Sequence, residues 1–192
     1  TCGRGEGRAP LSSEHAGRVR SATTSREASD LLLGGLRDDW RSPRAWAQFL
    51  TIASKRSLDQ ARQRPRALAE TTTLHVVAGV LARDRGGRRW VGLSWLTCAL
   101  HLGMLEDQRQ LGVPNLITLL RANLPAIDAS PRTAVIALAS DFIDGRLARS
   151  QQAVTPFGAY ADVFADAAYW TWFALTCEDD PRWRRAALAV WL

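Results

Sequence analysis

Apolar stretches follow one another through the second half of the chain, with short polar segments between them. They cover Trp90–Leu105, Leu111–Ile127, Pro131–Ser150 and Phe157–Cys177, and another begins at Trp183. A helix that crosses a bilayer needs about 20 predominantly apolar residues. The stretch from Phe157 meets that length and the stretch from Trp90, with 16 residues, is slightly short. The pattern predicts an all-α protein that contains a polytopic transmembrane helix bundle.

The first half of the chain has a different pattern. Residues 1–28 are rich in Gly, Arg, Ser and Thr without apolar periodicity, which predicts a flexible tail. Residues 29–89 carry apolar groups at helical spacing, which predicts a helical cytoplasmic or membrane-surface extension, with an ordinary solvated helical extension as the alternative. The charged run Ala82–Arg89 then marks the border of a membrane-embedded domain, residues 90–192. Because the chain stops inside an apolar run, we expect this domain to be truncated at its C-terminus.

Composition and charge narrow the candidate partners. The 192 residues are 46% hydrophobic and carry a formal net charge of +6, which suits an anionic partner such as a lipid headgroup, a phosphorylated substrate or a nucleic acid. The Arg-rich first 70 residues lack the interleaved aromatic side chains of single-strand binders, so we expect no nucleic-acid partner. Three distant cysteines exclude a disulfide framework and a cysteine-rich zinc site.

Four aspartates interrupt the apolar stretches in two pairs. Asp141 and Asp144 are three residues apart, and Asp162 and Asp166 are four apart, so each pair shares one face of a helix. Acidic side chains in an apolar segment are costly and indicate function. Carboxylate oxygens favour hard divalent cations, and Mg²⁺ commonly binds through carboxylates together with substrate phosphates. The spacing therefore predicts two adjacent helices whose carboxylates gather around Mg²⁺ or Mn²⁺.

The residues between the two pairs fit the same interpretation. Gly145 and Gly158 allow a backbone to approach a ligand closely, and Arg149 offers a planar fork for phosphate. The polar segment from Ser150 to Phe157 predicts a loop that joins the two helices.

Residues Asp141 to Asp166 read D-F-I-D-G-R-L-A-R, eight residues, then G-A-Y-A-D-V-F-A-D. This run resembles, at every fixed position and in both gaps, the signature D-x2-D-G-x2-A-R-x8-G-x3-D-x3-D of the CDP-alcohol phosphotransferases, also called CDP-alcohol phosphatidyltransferases. The earlier run P-N-L-I-T-L-L-R, from Pro114 to Arg121, is similar to the opening of the first membrane helix in that family. The resemblance covers about residues 111–192.

The resemblance implies an activity and a set of roles. Family members are membrane enzymes of six transmembrane helices that move a substituted phosphate group from a CDP-alcohol, often CDP-diacylglycerol, to an alcohol acceptor and release CMP. By this similarity Asp141, Asp144 and Asp162 would bind the metal, and Asp166 would be both a ligand and the general base. Gly145, Ala148, Arg149 and Gly158 would shape the CDP-alcohol pocket. Asn115, Thr118 and Arg121 are candidate contacts of the substrate phosphate, although Arg121 could equally reach toward lipid headgroups.

We therefore expect an integral membrane enzyme of phospholipid synthesis, in a bacterial cell membrane, with its N-terminal extension cytoplasmic because of its arginines. Its partners would be the CDP-alcohol, a small alcohol acceptor and membrane lipids, and a homodimer is one assembly that the sequence leaves open. The acceptor also stays open among glycerol 3-phosphate, an inositol phosphate, serine and phosphatidylglycerol. The alternative is a catalytically silent membrane scaffold with the same fold, against which the intact acids argue.

Overall fold

A computed structural model describes residues 13–37, 39–128, 130–150 and 155–189 of the chain. These residues form α-helices and one 3-10 turn, and no strand occurs among them, so the predicted all-α class is confirmed. The helices are α1 (Ser13–Ser21), α2 (Ser25–Arg37), α3 (Pro43–Gln63), α4 (Pro65–Leu81), α5 (Arg85–His101), α6 (Gly112–Ile127), α7 (Thr133–Ser150), α8 (Pro156–Cys177) and α9 (Pro181–Ala189), and the 3-10 turn covers Leu102–Leu105.

The helices of the second half begin where local sequence favours a helix start. Proline, whose missing N–H is not needed in the first turn, is the first residue of α8 and of α9. At the start of α5, the Asp84 carboxylate accepts a hydrogen bond from the backbone N–H of Gly87 at 2.7 Å. The Thr155 hydroxyl accepts one from the N–H of Gly158 at 3.0 Å in the same way. Both side chains satisfy backbone donors that a helix N-terminus leaves unpaired.

The chain divides into two compact units, residues 1–60 and 61–192. In the first unit, the Arg56 guanidinium donates hydrogen bonds to the carbonyl oxygens of Val19 at 2.7 Å and Ala22 at 3.2 Å. These carbonyls lie at the C-terminal end of α1, where helix carbonyls lack partners within the helix. At least one arginine of the basic extension therefore stabilises the fold. The tail predicted for residues 1–28 overlaps α1 and the first turn of α2, and residues 1–12 lie outside the described residues.

Helix α6 is the central element of the second unit. It packs against α4, α5, α7 and α8. Apolar side chains from several elements meet around it in a buried cluster that includes Leu102, Leu111, Leu119 and Phe157. The predicted stretches correspond closely to the helices, because Leu111–Ile127, Pro131–Ser150 and Phe157–Cys177 enclose or nearly match α6, α7 and α8. The domain limits predicted at residues 28 and 89 stay predictions.

No helix in the part of the chain that the structure describes is both long enough and apolar enough to cross a bilayer. The transmembrane part of the predicted fold therefore stays a prediction.

A buried polar network joins α4, α5 and α6. The Nδ1 atom of His75 lies 2.7 Å from the carbonyl oxygen of Thr71, which can only accept, so Nδ1 carries the proton. The Nε2 atom of His75 then accepts from the Ser94 hydroxyl at 3.0 Å. The Asn123 amide donates to Ser94 at 3.2 Å and to the Leu119 carbonyl at 2.8 Å. Since an unpaired buried polar group is costly, this network fixes how α4 is positioned on α5 and α6.

A pH series tests the role of His75. Burial lowers the pKa of His75 below 6.5, its value in an unfolded chain. Below about pH 6.5 the unfolded chain therefore binds more protons than the folded one, and the free energy of unfolding falls as the pH decreases. We expect the melting temperature of the parent protein to fall more between about pH 7.5 and about pH 5.5 than that of His75→Gln. Equal losses in the two proteins would contradict this assignment.

Candidate active site

Two helices bring the four predicted aspartates together. Asp141 and Asp144 lie one turn apart on α7, and Asp162 and Asp166 lie one turn apart on α8. Carboxylate oxygens of Asp141, Asp144 and Asp162 all lie within 4.8 Å of one another. The face-sharing that the spacing predicted is therefore realised in three dimensions, and the two pairs of acids meet beside α6, against which α7 and α8 both pack.

The Arg121 side chain extends from α6 into the middle of this group. Its Nη1 atom lies 2.9 Å from Asp144 Oδ2, and its Nη2 atom lies 3.3 Å from Asp141 Oδ1. Its Nη2 atom also pairs with Asp162 Oδ1, and its Nε atom lies 3.2 Å from Asp166 Oδ1. The Arg121 side chain is only 1% exposed. One buried guanidinium thus contacts all four acids.

The four acids differ in their access to solvent. The Asp144 side chain is 5% exposed, whereas those of Asp141, Asp162 and Asp166 are 48%, 46% and 34% exposed. Asp144 Oδ2 accepts a second hydrogen bond, from the Thr118 hydroxyl at 2.7 Å. Asp144 is therefore anchored from α6 by two donors, while the other three carboxylates are open on one side.

A cavity of about 420 Å³ opens beside the acids. Its lining includes residues from α6, α7 and α8 and the residue before α8, namely Pro114, Asn115, Thr118, Asp141, Phe142, Asp144, Gly145, Ala148, Arg149, Thr155, Gly158, Ala159 and Asp162. The predicted CDP-alcohol residues and three of the four predicted metal ligands therefore lie around one space. Asp166 and Arg121 are not part of this lining.

The two signature glycines serve different purposes. A Cβ atom at Gly158 would lie 2.8 Å from Asn115 Oδ1, which is closer than packed atoms approach. Asn115 is itself buried and held by a hydrogen bond from its Nδ2 atom to the Leu111 carbonyl at 2.6 Å. A Cβ atom at Gly145 would meet only the end of the flexible Arg149 side chain, at 3.4 Å. Gly158 is thus required for α8 to pack on α6, whereas a side chain at Gly145 would meet only the flexible end of Arg149.

Four lining residues were absent from the sequence-based site, namely Pro114, Phe142, Thr155 and Ala159. Thr155 caps α8 and lines the cavity, and Phe142 lines it beside the first acid. The Thr155-Pro156 pair is a typical helix start, so its capping role could have been recognised from the sequence. Phe142 carries no such signal, because an aromatic residue between two signature acids looks like any apolar helix position.

The donor set suits a hard divalent cation. Carboxylate oxygens are the ligands that Mg²⁺ and Mn²⁺ prefer, and the oxygens of Asp141, Asp144 and Asp162 are close enough to share one ion. Each of these residues also lines the cavity, so an ion there would be reachable by a phosphate. The residues present therefore fit the predicted cofactor.

The contact between Gly158 and Asn115 gives a testable prediction. Gly158→Ala forces a shift between α8 and α6, and overpacking of this kind typically costs about 1–3 kcal/mol. We expect a lower melting temperature and weaker nucleotide binding, measured by thermal unfolding and by equilibrium titration. Gly92→Ala is the matched control, since nothing lies within 4 Å of the added atom and alanine favours a helix interior. If both variants melted like the parent protein, the close packing at Gly158 would be unimportant.

Comparison with known proteins identifies the region that carries this site. Residues 111–192 match the family model of CDP-alcohol phosphatidyltransferase, which confirms the resemblance seen in the signature. No curated protein and no solved structure matches the chain significantly. The matched residues include α6, α7 and α8, and hence all four aspartates and Arg121. The similarity to the CDP-alcohol phosphatidyltransferase family therefore lies in residues 111–192, the region that carries the site.

Proposed function

We propose that the protein transfers a phosphatidyl or similar substituted phosphate group from a CDP-alcohol, such as CDP-diacylglycerol, to an alcohol acceptor, with release of CMP, in phospholipid synthesis. The observation that carries this proposal is the cavity that Asp141, Asp144 and Asp162 share with the predicted nucleotide residues. A cavity with carboxylates on one side and a guanidinium on another suits a substrate with a charged pyrophosphate.

The reaction needs a way to stabilise negative charge. A divalent cation held by Asp141, Asp144 and Asp162 would neutralise the pyrophosphate and the charge that develops on CMP. The chain's own contribution is to hold those carboxylates in place, which Thr118 does for Asp144. Arg149, on the cavity wall, offers a second positive group for a phosphate oxygen.

The acceptor hydroxyl must lose its proton as its oxygen bonds to phosphorus and the bond from phosphorus to the CMP oxygen breaks. Asp166 is the proposed base. It lies one turn beyond Asp162 on α8, and its Oδ1 faces Arg121 Nε at 3.2 Å. The Asp166 side chain is 34% exposed, and a carboxylate within hydrogen-bond reach of the acceptor hydroxyl can take its proton.

The nucleotide is expected to bind where the N-terminal parts of α6 and α8 lie beside the C-terminal end of α7. A side chain at Gly145 would meet only the end of Arg149, and Ala148 and Gly158 are further small residues of the cavity lining. Small side chains allow a flat base to approach the backbone. Asn115 and Thr118 also line this cavity, and the substrate phosphate is their proposed neighbour.

The proposal includes residence in a bacterial cell membrane, with the basic N-terminal extension on the cytoplasmic side. Its support is a set of apolar side chains that are more than half exposed on the helices of the second unit, among them Leu93, Val113, Val135, Ile136, Leu138 and Val163. Apolar side chains exposed at neighbouring positions, as Val135, Ile136 and Leu138 are on α7, favour a membrane or protein contact. Recovery of the protein in a high-salt wash without detergent would contradict this part of the proposal.

CMP release is the direct test of the activity. The detergent-solubilised protein is incubated with CDP-diacylglycerol and, in turn, with each alcohol of the open set. We expect acceptor-dependent CMP release that stops in excess chelator and returns with Mg²⁺ or Mn²⁺, because unscreened carboxylates repel one another and the pyrophosphate. Release that is unchanged in excess chelator would refute the metal site. No release with any acceptor would favour the catalytically silent scaffold.

Substitution of two acids separates the proposed roles. Asp166→Asn keeps the shape and one oxygen but removes the base, so transfer should fall by roughly 10²–10⁴-fold while CDP-alcohol binding is retained. Asp141→Asn should weaken metal and nucleotide binding together, because Asp141 lines the cavity and Asp166 does not. The measurements are the rate of CMP release and the affinities for Mn²⁺ and CDP-alcohol. A parental transfer rate in Asp166→Asn with normal Mn²⁺ occupancy would show that another group carries the proton.

A further inference from the structure

Arg121 contacts all four acids of the site, yet the proposed reaction gives it no role. Four carboxylates carry a formal charge of −4, and the guanidinium reduces it to −3. Like charges this close disfavour one another's ionised forms and push their helices apart unless a cation lies between them. In this structure the guanidinium of Arg121 lies in that position, since it contacts Asp141, Asp144, Asp162 and Asp166 at once.

The contacts use one oxygen of each carboxylate. They involve Oδ1 of Asp141, Asp162 and Asp166 and Oδ2 of Asp144. Among the described residues, no hydrogen bond or ion pair engages the second oxygen of these four acids. Arg121 therefore holds the acids through one set of oxygens and leaves the other set for a ligand.

The position of Arg121 does not suit a direct phosphate contact. Its side chain is 1% exposed and does not line the cavity. To reach a phosphate, the guanidinium would have to leave four carboxylates and expose a buried region. Arg149, on the cavity wall, is better placed for that role.

We propose that Arg121 is a positioning residue that acts as a built-in counter-cation: it keeps α6, α7 and α8 together around the four acids when no metal is bound. The inference rests on the proposed function in so far as it concerns metal binding. Its consequence is that the helices do not depend on a divalent cation for their packing, so the ion can bind and leave with the substrate.

Arginine suits this role better than lysine. The guanidinium is planar, always charged and presents five N–H donors in a fixed fork, so it can contact several carboxylates at once. The ammonium of a lysine is a single point charge on a flexible stem. We therefore expect Arg121→Lys to keep the charge but only part of the stabilisation, and Arg121→Met to keep the approximate length and lose both.

Thermal unfolding with chelator and with Mg²⁺ tests the inference. In chelator, Arg121→Met should melt roughly 6–20 °C below the parent protein, because loss of a buried partner leaves the acids uncompensated. Mg²⁺ should raise the melting temperature of Arg121→Met more than that of the parent, since the ion then supplies the missing positive charge. Arg121→Lys should fall between the two proteins in both measurements.

Arg149→Met is the matched control. It removes an arginine of the same site that contacts no carboxylate among the described residues, and in chelator it should melt like the parent protein. Equilibrium titration with Mn²⁺ alone, on the same proteins, measures metal binding separately from stability and from activity.

Several outcomes would overturn the inference. One is that Arg121→Met and the parent protein have the same melting temperature in chelator. Another is that Mg²⁺ raises the melting temperature of the two proteins equally. If Arg121→Met loses only CDP-alcohol affinity at saturating metal, Arg121 is a phosphate contact instead. If Arg121→Met does not fold even with Mg²⁺, Arg121→Lys takes its place. Its melting temperature in chelator, and the rise in that temperature with Mg²⁺, are then compared with those of the parent. A parent protein that binds no Mn²⁺ would refute the proposed function. The melting temperatures of Arg121→Met and the parent in chelator would still test whether Arg121 acts as the counter-cation.

Discussion

Repulsion among four carboxylates is the constraint around which the second unit of this protein is built. A single guanidinium from α6 offsets it, so α6 must lie between α7 and α8 with Arg121 at the level of the acids. A contact with α4 fixes where α6 begins, and therefore where Arg121 lies. The Glu70 carboxylate on α4 accepts a hydrogen bond from the backbone N–H of Leu111 at 2.7 Å, just before the helix begins. Because the N-terminal end of a helix favours negative charge, Glu70 links α4 to the placement of Arg121.

The four acids differ in how firmly they are held, because only Asp144 is buried against α6. Asp144 is buried and held from α6 by Thr118 and Arg121, so it is the fixed point of the group. Asp141 and Asp162 are about half exposed at the cavity, where a ligand can reach them. Asp166, one turn farther along α8, lies outside the cavity lining and keeps contact with Arg121. The site therefore combines one fixed carboxylate, Asp144, with three carboxylates that are more accessible. This arrangement suits metal binding together with proton transfer.

Much of this arrangement could be predicted from the sequence, because it depends on local periodicity. Apolar stretches gave α6, α7 and α8 nearly to the residue, and spacings of three and four placed each pair of acids on one helix face. Contacts between distant residues could not be predicted that way. Nothing local shows that Arg121 faces the acids instead of a phosphate, or that Gly158 is needed because Asn115 lies against it. Helix α1 was also missed, since its sequence has few apolar residues and part of its stabilisation comes from Arg56, more than 30 residues away.

The central claim is that the acids of α7 and α8 form a cation site beside a retained arginine, and locating the ion tests it most directly. Anomalous scattering from crystals of the protein soaked in Mn²⁺ would show where the ion binds. The account predicts one or more peaks bounded by the carboxylates of Asp141, Asp144 and Asp162, on the cavity side, with Arg121 still in contact with the acids from the opposite side. A peak elsewhere, no peak at saturating Mn²⁺, or an Arg121 side chain turned into the cavity would contradict it.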